Sequence, residues 1–437
     1  MVIKHKGKTM TTPRPALTPT TTRTGSYWLM AVLLGLALAV SGIPSPLYAR
    51  YAAEWGFSSL MLTVVFAAYA IAALISLLIV GPITDAIGRK PVLLTAAGLI
   101  LIGLVVFVTA QNVVALLAAR IVHGAAIGAV VVAAGAAMLD LRPADGARTG
   151  RITGVAFSIG MAVGIFGTAL AAEMLPAPLV TPFLMVGGVM VLVTIALILT
   201  AETHTQRSRA RIRLSRPSVP GLIRTDFSFS VLGAAASWVV LGLYLSLFPT
   251  LAAQETGIHS LIFSAGVIAV LTISSALTQW LLGGLSARLL AISGDALMAI
   301  SILLSIPVIL SGSPTLIILS VVLLGAGFGL AFSGSFRHLN SVIPAEARGG
   351  VISAFYLCCY LAMAVPAVLA GWAATGFALA TVFTVFAVVV ALLCALAALL
   401  GFRVHRATTS AGSRAVSPAA IAAGDTIAAE HTVQEKV

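Results

Sequence analysis

The sequence predicts an all-α membrane protein whose twelve transmembrane helices form two pseudo-symmetric six-helix bundles. Three observations lead to this fold class: the composition, the recurrence of uncharged stretches, and a repeat between the two halves of the chain. The 437 residues are 60% hydrophobic and only 9% charged, with a mean hydropathy of +1.10. That is more apolar surface than one soluble core can remove from water, which places the chain in a lipid bilayer.

Uncharged stretches long enough to cross ~30 Å of hydrocarbon recur along the whole chain. They are predicted to be helices rather than barrel strands, because each is about 20 residues long and backbone groups in lipid must pair within their own segment. The predicted spans are residues 27–48, 58–80, 91–110, 113–139, 151–174, 180–201, 227–251, 260–283, 295–312, 314–336, 350–373 and 377–402.

The first span has an alternative interpretation as a cleaved signal peptide, because Lys4, Lys6 and Lys8 precede its apolar run. The polar leader, however, is 26 residues long, and the apolar run continues past the small residues at 37–39 as a full span. We therefore expect this helix to remain in the protein.

Lysine and arginine residues predict the orientation, since they are retained on the cytoplasmic side during insertion. If both termini are cytoplasmic, the outer turns carry only Arg50, and the inner turns carry Arg89, Lys90, Arg142, Arg148, Arg151, Arg207, Arg209, Arg211, Arg213, Arg216, Arg224, Arg288 and Arg348. The net charge of +12 is then a topology signal for a multi-pass protein of the cell (inner) membrane. A nucleic-acid partner is not predicted, because the basic stretch 207–216 has no aromatic residue.

The predicted spans divide the chain into five parts: a cytoplasmic tail (1–26), an N-terminal bundle (27–201), a basic cytoplasmic linker (202–226), a C-terminal bundle (227–402) and a second cytoplasmic tail (403–437). Both tails are rich in Thr, Ser, Ala and Pro, which predicts disorder. All three cysteines fall inside spans, so neither a disulfide framework nor a metal site is predicted. No cofactor is expected, and the protein is predicted to be monomeric.

The turn after the fourth span is repeated after the tenth. The first copy reads "PADGARTGRIT" (143–153) and the second reads "PAEARGGVIS" (344–353). Arg148 and Arg348 align at an offset of 200 residues, and with Asp140 they are predicted to form contacts between the bundles. Two related halves are the expected shape of a transporter that rocks one bundle against the other around a midplane site.

The turn after the second span concentrates charge and glycine. "GPITDAIGRKPVL" (81–93) contains, in order, Gly81, Asp85, Gly88, Arg89 and Lys90. This spacing resembles the signature between helices 2 and 3 of the major facilitator superfamily, a family of membrane transporters. The resemblance implies that these residues form a gating motif.

Three further stretches are similar to patterns of the same family. "LAARIVHGAAIGA" (117–129) resembles its helix 4 motif, with Arg120 and Gly124 in place and His123 where glutamine is common. The ending "AET" (201–203) resembles that of proton-coupled drug exporters. The stretch "GMAVGIFG" (160–167) resembles the glycine-rich helix 5 motif of these exporters, with glycines at Gly160, Gly164 and Gly167. It departs from that motif at Ile165.

The gating motif also has a simpler interpretation, as a polar turn that obeys the orientation rule. That interpretation does not explain Asp85, because carboxylates contribute little to orientation, or the two glycines beside it. A carboxylate at this turn can face the positive N-terminal end of a helix, such as the span that begins near Arg348. The resemblance implies that such a latch holds the inner gate shut in the outward-open state.

Arg120 is predicted to line the transport pathway. It lies ~10 Å into its helix, where a cation costs a few kcal/mol unless it faces a cavity or finds acceptors. The alternative is an arginine that snorkels to the outer interface. No Asp or Glu falls in the middle of a predicted span, since Asp140, Asp226 and Asp295 are all placed at span ends. His123, one turn from Arg120, is therefore a candidate proton carrier, although its neighbouring cation disfavours protonation.

The substrate cavity is predicted to be lined by aromatic side chains rather than by charges. Such a cavity suits uncharged or lipophilic organic molecules. Lipid-facing packing is the alternative for each aromatic residue taken alone. The candidates are Tyr48, Tyr69, Trp238, Tyr244, Tyr356 and Tyr360.

Two functions remain open. The first is secondary export of small amphiphilic or drug-like compounds by alternating access, with protons as the coupling ion. The second is uptake or facilitated transport of a polar or anionic metabolite, such as an organic acid or a sugar, for which an unpaired Arg120 would be an anchor. An enzyme is not expected, since no metal, nucleotide or paired-carboxylate signature is found.

The gating interpretation predicts that Asp85→Asn leaves membrane insertion intact and abolishes transport, because the latch loses its charge. Flux through the purified, reconstituted variant measures this. Wild-type flux in Asp85→Asn would contradict a gating role.

Overall fold

The computed structural model describes residues 20–204 and 216–415, which contain fourteen α-helices and no β-strand. Most of the two predicted tails (1–19 and 416–437) and the middle of the predicted linker (205–215) lie outside the described residues. The helices are α1 (Thr20–Gly42), α2 (Pro44–Trp55), α3 (Ser59–Ile87), α4 (Arg89–Thr109), α5 (Val113–Leu141), α6 (Gly146–Met174), α7 (Thr181–Leu199), α8 (Arg224–Ser246), α9 (Phe248–Thr256), α10 (Leu261–Leu282), α11 (Ala287–Leu310), α12 (Pro314–Val342), α13 (Arg348–Ala373) and α14 (Leu379–Ala415).

Twelve segments of these described residues are long and apolar enough to cross a membrane, as the sequence predicts. The first span, Thr24–Tyr48, joins α1 to the start of α2 across Ile43, and α9 is a short extension of α8. We call the side where α7 ends and α8 begins the linker face, which is the side predicted to be cytoplasmic. The opposite side is called the far face.

Several helices extend beyond their predicted spans, because a charged residue lowers hydropathy without interrupting backbone hydrogen bonds. Helix α3 continues to Ile87 instead of residue 80, and α14 continues to Ala415, into the predicted tail. Helix α11 begins at Ala287 rather than at residue 295, because the side chain of Ser286 caps it by accepting a hydrogen bond from the Leu289 amide. The predicted ninth span was therefore too short at its start.

The helix contacts repeat between the two halves of the chain. In the N-terminal half (α1–α7), α1 packs on α5 and α6, and α5 packs on α3 and α4. In the C-terminal half (α8–α14), α8 packs on α12 and α13, and α12 packs on α10 and α11. The halves meet through the pairs α6 with α10 and α3 with α13, which occupy equivalent places in the two halves. This arrangement confirms the predicted pair of pseudo-symmetric six-helix bundles.

Two glycines of the predicted helix 5 motif lie where α6 packs against α1. A Cβ atom on Gly160 would lie 2.0 Å from the carbonyl oxygen of Gly35, and one on Gly164 would lie 2.1 Å from that of Ala39. Real side chains do not tolerate such distances to backbone atoms, so glycine is needed at both positions. For Gly167, no described atom outside its own stretch of helix lies within 4 Å of the Cβ position. The first two glycines of the motif therefore have a packing role that the third lacks.

This difference gives a matched pair of variants. We expect Gly164→Ala to force α1 and α6 apart and to lower the free energy of unfolding by roughly 1–3 kcal/mol, as overpacking typically does. Gly167→Ala adds the same methyl group to the same helix in open space, and removal of a helical glycine there is neutral or mildly stabilising. Heat denaturation of the purified proteins, followed by size-exclusion chromatography, measures the difference. Equal melting temperatures would contradict the packing role.

Candidate transport site

Arg120 of α5 is held in a cage of tyrosines in the N-terminal half. Its side chain is only 2% exposed, and its Nη1 donates a hydrogen bond of 3.1 Å to the carbonyl oxygen of Ser41. The guanidinium carbon lies 4.4 Å from the ring centroid of Tyr69 and 5.8 Å from that of Tyr48. Its Nε has no hydrogen-bond partner among the described residues. The cation is therefore stabilised by π faces and one carbonyl, and it retains an unused donor.

The C-terminal half brings its own aromatic residues to this centre. Trp238 of α8 contacts Tyr360 of α13, with ring centroids 4.7 Å apart, and Phe332 of α12 at 6.1 Å. Tyr360 lies close enough to Tyr69 to interact with it electrostatically, across the pair α3 and α13. The candidate transport site is thus defined by Arg120, Tyr48, Tyr69, Trp238 and Tyr360, which come from both halves.

The other two predicted cavity residues lie elsewhere. Tyr244 stacks on Phe248 at a centroid distance of 4.1 Å. Tyr356 packs against Phe355 and Phe336, with centroids 5.7 and 6.0 Å away. Tyr244 is fully buried, so its stacking is packing between helices rather than the lipid-facing packing of the alternative interpretation.

Beyond the end of the first span, Tyr51 of α2 is only 1% exposed, and its hydroxyl has no partner among the described residues. Loss of hydration on burial raises the pKa of this phenol. Tyr51 therefore stays protonated and keeps a hydroxyl donor near the far face.

His123 and Gly124 follow Arg120 on α5 but face other helices. His123 is fully buried against α4, where its Nε2 donates to the carbonyl oxygen of Ile100 at 3.1 Å and its ring packs on Phe107. A Cβ atom on Gly124 would lie 2.3 Å from the carbonyl oxygen of Tyr69, so this glycine allows α3 and α5 to pack closely. The described contacts of both residues are structural, and a role for His123 in proton transport stays a prediction.

The gating motif forms a charged cluster at the linker face. Arg89 is buried, and its guanidinium donates to the carboxylates of Asp85 and Asp140, the second over 3.0 Å. Glu202 accepts hydrogen bonds from the backbone amides of Arg89 and Lys90 at 3.0 and 3.1 Å, at the N-terminus of α4. Opposite charge at a helix N-terminus is stabilising, so Glu202 fixes the turn in place. The sequence interpretation treated Glu202 only as part of a family ending and missed this role.

Lys90 and Gly88 complete the turn. The Lys90 Nζ donates to the carbonyl oxygens of Ile198 and Thr200, both at 2.7 Å, and so binds the C-terminal end of α7. Gly88 has a φ of 105°, in the region that favours glycine, and the Glu202 carboxylate lies 2.5 Å from its Cβ position. The Cβ position of Gly81, by contrast, has no described atom from beyond its own stretch of helix within 4 Å.

The predicted latch across the bundles differs from the contacts observed. Asp85 pairs with Arg89 of its own motif and is 60% exposed, instead of facing the start of α13. Arg348 donates to Asn340 of its own half at 3.2 Å, and Asp140 pairs with Arg89 and His204 within the N-terminal half. Arg148 is exposed. These contacts lie within single bundles, because each charge finds a closer partner next to its own turn.

A latch between the bundles is present at the far face instead. Glu173, near the end of α6, accepts hydrogen bonds from the Ser260 hydroxyl at 3.0 Å, from the amide of Leu261 and from the amide of Ile262 at 3.3 Å. These amides are the first donors of α10, which have no partner within the helix. A carboxylate of one half therefore caps a helix of the other half, and the sequence interpretation did not single out Glu173 for this role.

Two other close approaches join the halves near the same face. The Ser45 hydroxyl donates to the carbonyl oxygen of Leu245 at 2.5 Å, and the Cβ position of Gly371 lies 2.2 Å from the Thr63 hydroxyl. On the linker side, α6 and α10 stay in contact near Arg151 and Gly283. The conformation is thus closed at the far face, with Asp85 exposed at the linker face.

A buried carboxylate inside a span corrects the predicted placement of acids. Asp295 is fully buried in α11, eight residues after Ala287, which is ~12 Å from the start of the helix. It was placed at a span end because its charge truncated the predicted span. The predicted placement of Asp295 at a span end is therefore wrong, because the observed span Ala287–Leu310 begins two turns before it.

Comparison with known proteins decides the family. A family model described as Major Facilitator Superfamily matches residues 27–365. The chain belongs to the major facilitator superfamily. No curated protein matches its sequence. Among solved structures, the crystal structure of the human organic anion transporter MFSD10 (TETRAN) is similar, with 16% sequence identity, a TM-score of 0.65, and coverage of 88% of this chain and 100% of that chain.

Membership of the major facilitator superfamily accounts for the twelve spans and the two related halves, and the structural similarity supports the same fold. Proteins of this family are secondary transporters of small molecules, so this chain is a multi-pass membrane transporter. Family members are transporters rather than enzymes, which fits the expected absence of an enzymatic activity.

The far-face latch predicts how charge at Glu173 sets the conformational equilibrium. Glu173→Gln keeps the shape but removes the charge from the N-terminus of α10, a loss of about 1 kcal/mol or roughly fivefold in population. Helix α10 itself persists, since Ser260 still caps it. We expect Thr63→Cys, in a variant without the three native cysteines, to react faster with a water-soluble maleimide when Glu173 is Gln.

Glu54→Gln is the matched control, because Glu54 lies near the same face and forms its ion pair with Arg50 of its own helix. That control is expected to leave the labelling rate of Thr63→Cys unchanged. An equal rise with both glutamine variants, or no rise with Glu173→Gln, would contradict the latch.

Proposed function

We propose that this transporter moves small organic anions that carry an apolar or aromatic body, by alternating access between its two halves. Arg120 binds the anionic group, and the aromatic residues of the candidate transport site contact the body of the substrate. The observation that carries this proposal is a buried arginine with no ion-pair partner among the carboxylates that the structure describes.

A buried cation without a counter-ion favours a ligand that brings the missing charge. A carboxylate or a phosphate would complete the hydrogen bonding of the guanidinium, whose Nε–H is unused, in the two-point geometry that arginine offers. A lipophilic cation, in contrast, would be repelled by Arg120 in this low-dielectric setting. The charge at the site therefore supports an anionic substrate over a cationic one.

The aromatic lining supports an apolar or aromatic body. Tyr48 and Tyr69 flank the guanidinium from the N-terminal half, and Trp238 and Tyr360 form an edge-to-face pair from the C-terminal half. Such surfaces bind flat apolar groups while a single polar anchor sets their orientation. The similar human protein is described as an organic anion transporter, which agrees with this substrate class without establishing it.

The position of Arg120 suits alternating access. It lies ~10 Å from the far end of α5, just beneath the closed contacts of the far face. Separation of the halves there would move Tyr69 away from Tyr360 and expose Arg120 to that side. Binding of an anion across both halves then favours their approach, because ligands stabilise the conformation they bind best.

A second candidate is proton-coupled export of amphiphilic or drug-like compounds. The observation in its favour is Asp295, since carboxylates buried in membrane spans are expensive and are generally functional. The motif at Gly160 and Gly164 resembles that of exporters, although its observed contacts are explained by packing.

Transport by Arg120→Gln tests the anion anchor. We expect purified protein in proteoliposomes to take up labelled aromatic carboxylates, and Arg120→Gln to raise their KM by at least about tenfold, from the loss of a charged hydrogen bond worth roughly 1.5–3 kcal/mol. Uncharged amide analogues of the same acids should show a much smaller change. Parallel assays with lipophilic cations separate the first candidate from the second.

Arg142→Gln is the matched control, because Arg142 also stacks on a tyrosine, at 4.6 Å from the Tyr27 centroid, but at the linker face. It should leave the KM of the carboxylates unchanged. If Arg120→Gln affects acids and amides equally, Arg120 has a structural role and the anion proposal fails.

A further inference from the structure

Asp295 has surroundings that neither the gating cluster nor the candidate transport site explains. Both of its carboxylate oxygens are inaccessible to solvent, and neither has a hydrogen-bond partner among the described residues. An ionised carboxylate buried without a donor is costly, whereas an unpaired buried polar group in a native protein generally marks a ligand or a function. The question is which ligand this carboxylate takes.

One serine hydroxyl lies beside Asp295, and a second lies one helical turn away along α8. The Cβ position of Gly233 in α8 lies 2.6 and 2.8 Å from the two Asp295 oxygens and 2.9 Å from the Ser335 hydroxyl of α12, so these groups converge on one point. Ser230, one turn before Gly233 on α8, is also fully buried. Neither serine hydroxyl has a partner in the part of the chain that the structure describes. A side chain at Gly233 would exclude the carboxylate from this position.

The polar groups continue from this pocket to the linker face. Asp226 and Ser230 are one turn apart on α8, and His338 and Ser335 are one turn apart on α12. The His338 ring nitrogen Nε2 is hydrogen-bonded to the Asp226 carboxylate at 2.8 Å, and the Asp226 side chain is 22% exposed. Groups that can donate and accept protons therefore follow one another from the linker-face end of α8 and α12 inward to Asp295.

Several titratable groups of the described residues lie on α11 and on the helices that pack against it. Of the helices packed against α11, α14 contributes Cys394, which is buried and close enough to interact with Asp295 electrostatically. Helix α12 contributes His338, α8 contributes Asp226, and Glu255 of α9 lies near the opposite end of α11, at Gly312. Two arginines lie toward the linker-face end: Arg288, two turns before Asp295 on α11, and Arg337 of α12, whose guanidinium donates to the carbonyl oxygens of Gly283 and Leu285.

The number of oxygen ligands at Asp295 distinguishes a proton site from a metal site. A hard metal cation such as calcium takes six to eight oxygen ligands, whereas the carboxylate and the two hydroxyls supply four oxygens at most. A proton needs no further ligands, and it removes the charge whose burial without a donor is costly. The chemistry and the close packing both favour a proton.

We propose that Asp295 reversibly binds a proton that reaches it from the linker face along Asp226, His338, Ser230 and Ser335. The proton adds to a carboxylate oxygen, and it leaves by the same route, so no other reactant is needed. Its use in coupling rests on the transport function proposed above, whereas the binding of the proton does not. The proton site thus lies in the C-terminal half, apart from Arg120 and its tyrosines in the N-terminal half.

Infrared difference spectra of the purified protein between acidic and alkaline buffers test the site directly. We expect a carboxylic acid C=O band at the high frequency typical of a weakly hydrogen-bonded acid, present in acid, lost in alkali and absent from Asp295→Asn. The same band in folded Asp295→Asn would overturn the proposal. So would a wild-type band that persists at every pH, because the proton would then never leave.

Two serine variants keep the test decisive if Asp295→Asn does not fold. Ser335→Ala removes a hydroxyl beside the acid and is expected to shift the band. Ser301→Ala removes a hydroxyl on α11 that is likewise buried and without a partner, but two turns beyond Asp295, and is expected to leave the band in place. Equal spectra for both serine variants would assign the band to another acid and overturn the proposal.

The route is tested by the rate at which the band appears after a drop in pH. His338→Gln is expected to slow this appearance by at least about tenfold, as loss of a positioned proton-transfer group does. His259→Gln, at an exposed histidine of the far face, is the control and should not slow it. Equal rates for the two variants would overturn the proposed route.

Proteoliposomes with an internal pH dye separate this inference from the transport proposal. If no carboxylate, amide or cation is transported, the transport proposal fails, while the infrared result stands by itself. If carboxylates are transported and the dye responds equally in wild type and Asp295→Asn, Asp295 has no role in coupling.

Discussion

The cost of placing charge in hydrocarbon determines where this chain can be polar. Arg89, Arg120 and Asp295 are all buried, but their charges are compensated by neighbouring groups to different extents. Arg89 lies at the linker face and is paired with two carboxylates. Among the described residues, Arg120 is compensated by π faces and one carbonyl, and Asp295 has no donor. The two incompletely compensated charges are therefore the positions at which a ligand would change the energy of the protein most.

The same constraint explains why backbone groups are used so often as partners. Lys90 binds two carbonyls at the end of α7, and Glu202 and Glu173 bind amides at the starts of α4 and α10. Helix ends are the places where unpaired backbone groups occur in a helical membrane protein. A charge at a helix end stabilises a turn when it comes from the same half, as Glu202 does. It stabilises a conformation when it comes from the other half, as Glu173 does.

The fold could be predicted from the sequence because hydropathy reports directly on burial in lipid. The turn at 81–90 could be predicted as a charged cluster, but its partners could not, since Asp140 and Glu202 are distant in the chain and adjacent in space. Asp295 was misplaced for a different reason. A window of hydropathy stops at a charge, whereas a helix begins where Ser286 caps it. The hydropathy rule that identifies membrane spans therefore places an acid at the end of a span even when the helix continues past it.

Arg120 and Asp295 belong to different halves, yet the same two helices connect their surroundings. Helix α8 carries Trp238 of the candidate transport site and Gly233 beside Asp295, and α12 carries Phe332 beside Trp238 and Ser335 beside the acid. A change of charge at Asp295 would act on α8 and α12, the helices that hold Trp238 against Tyr360 and Phe332. A proton and a substrate become coupled only if each binds one arrangement of these helices more tightly than the other. The shared helices supply a physical element on which both ligands can act, which distance alone would not.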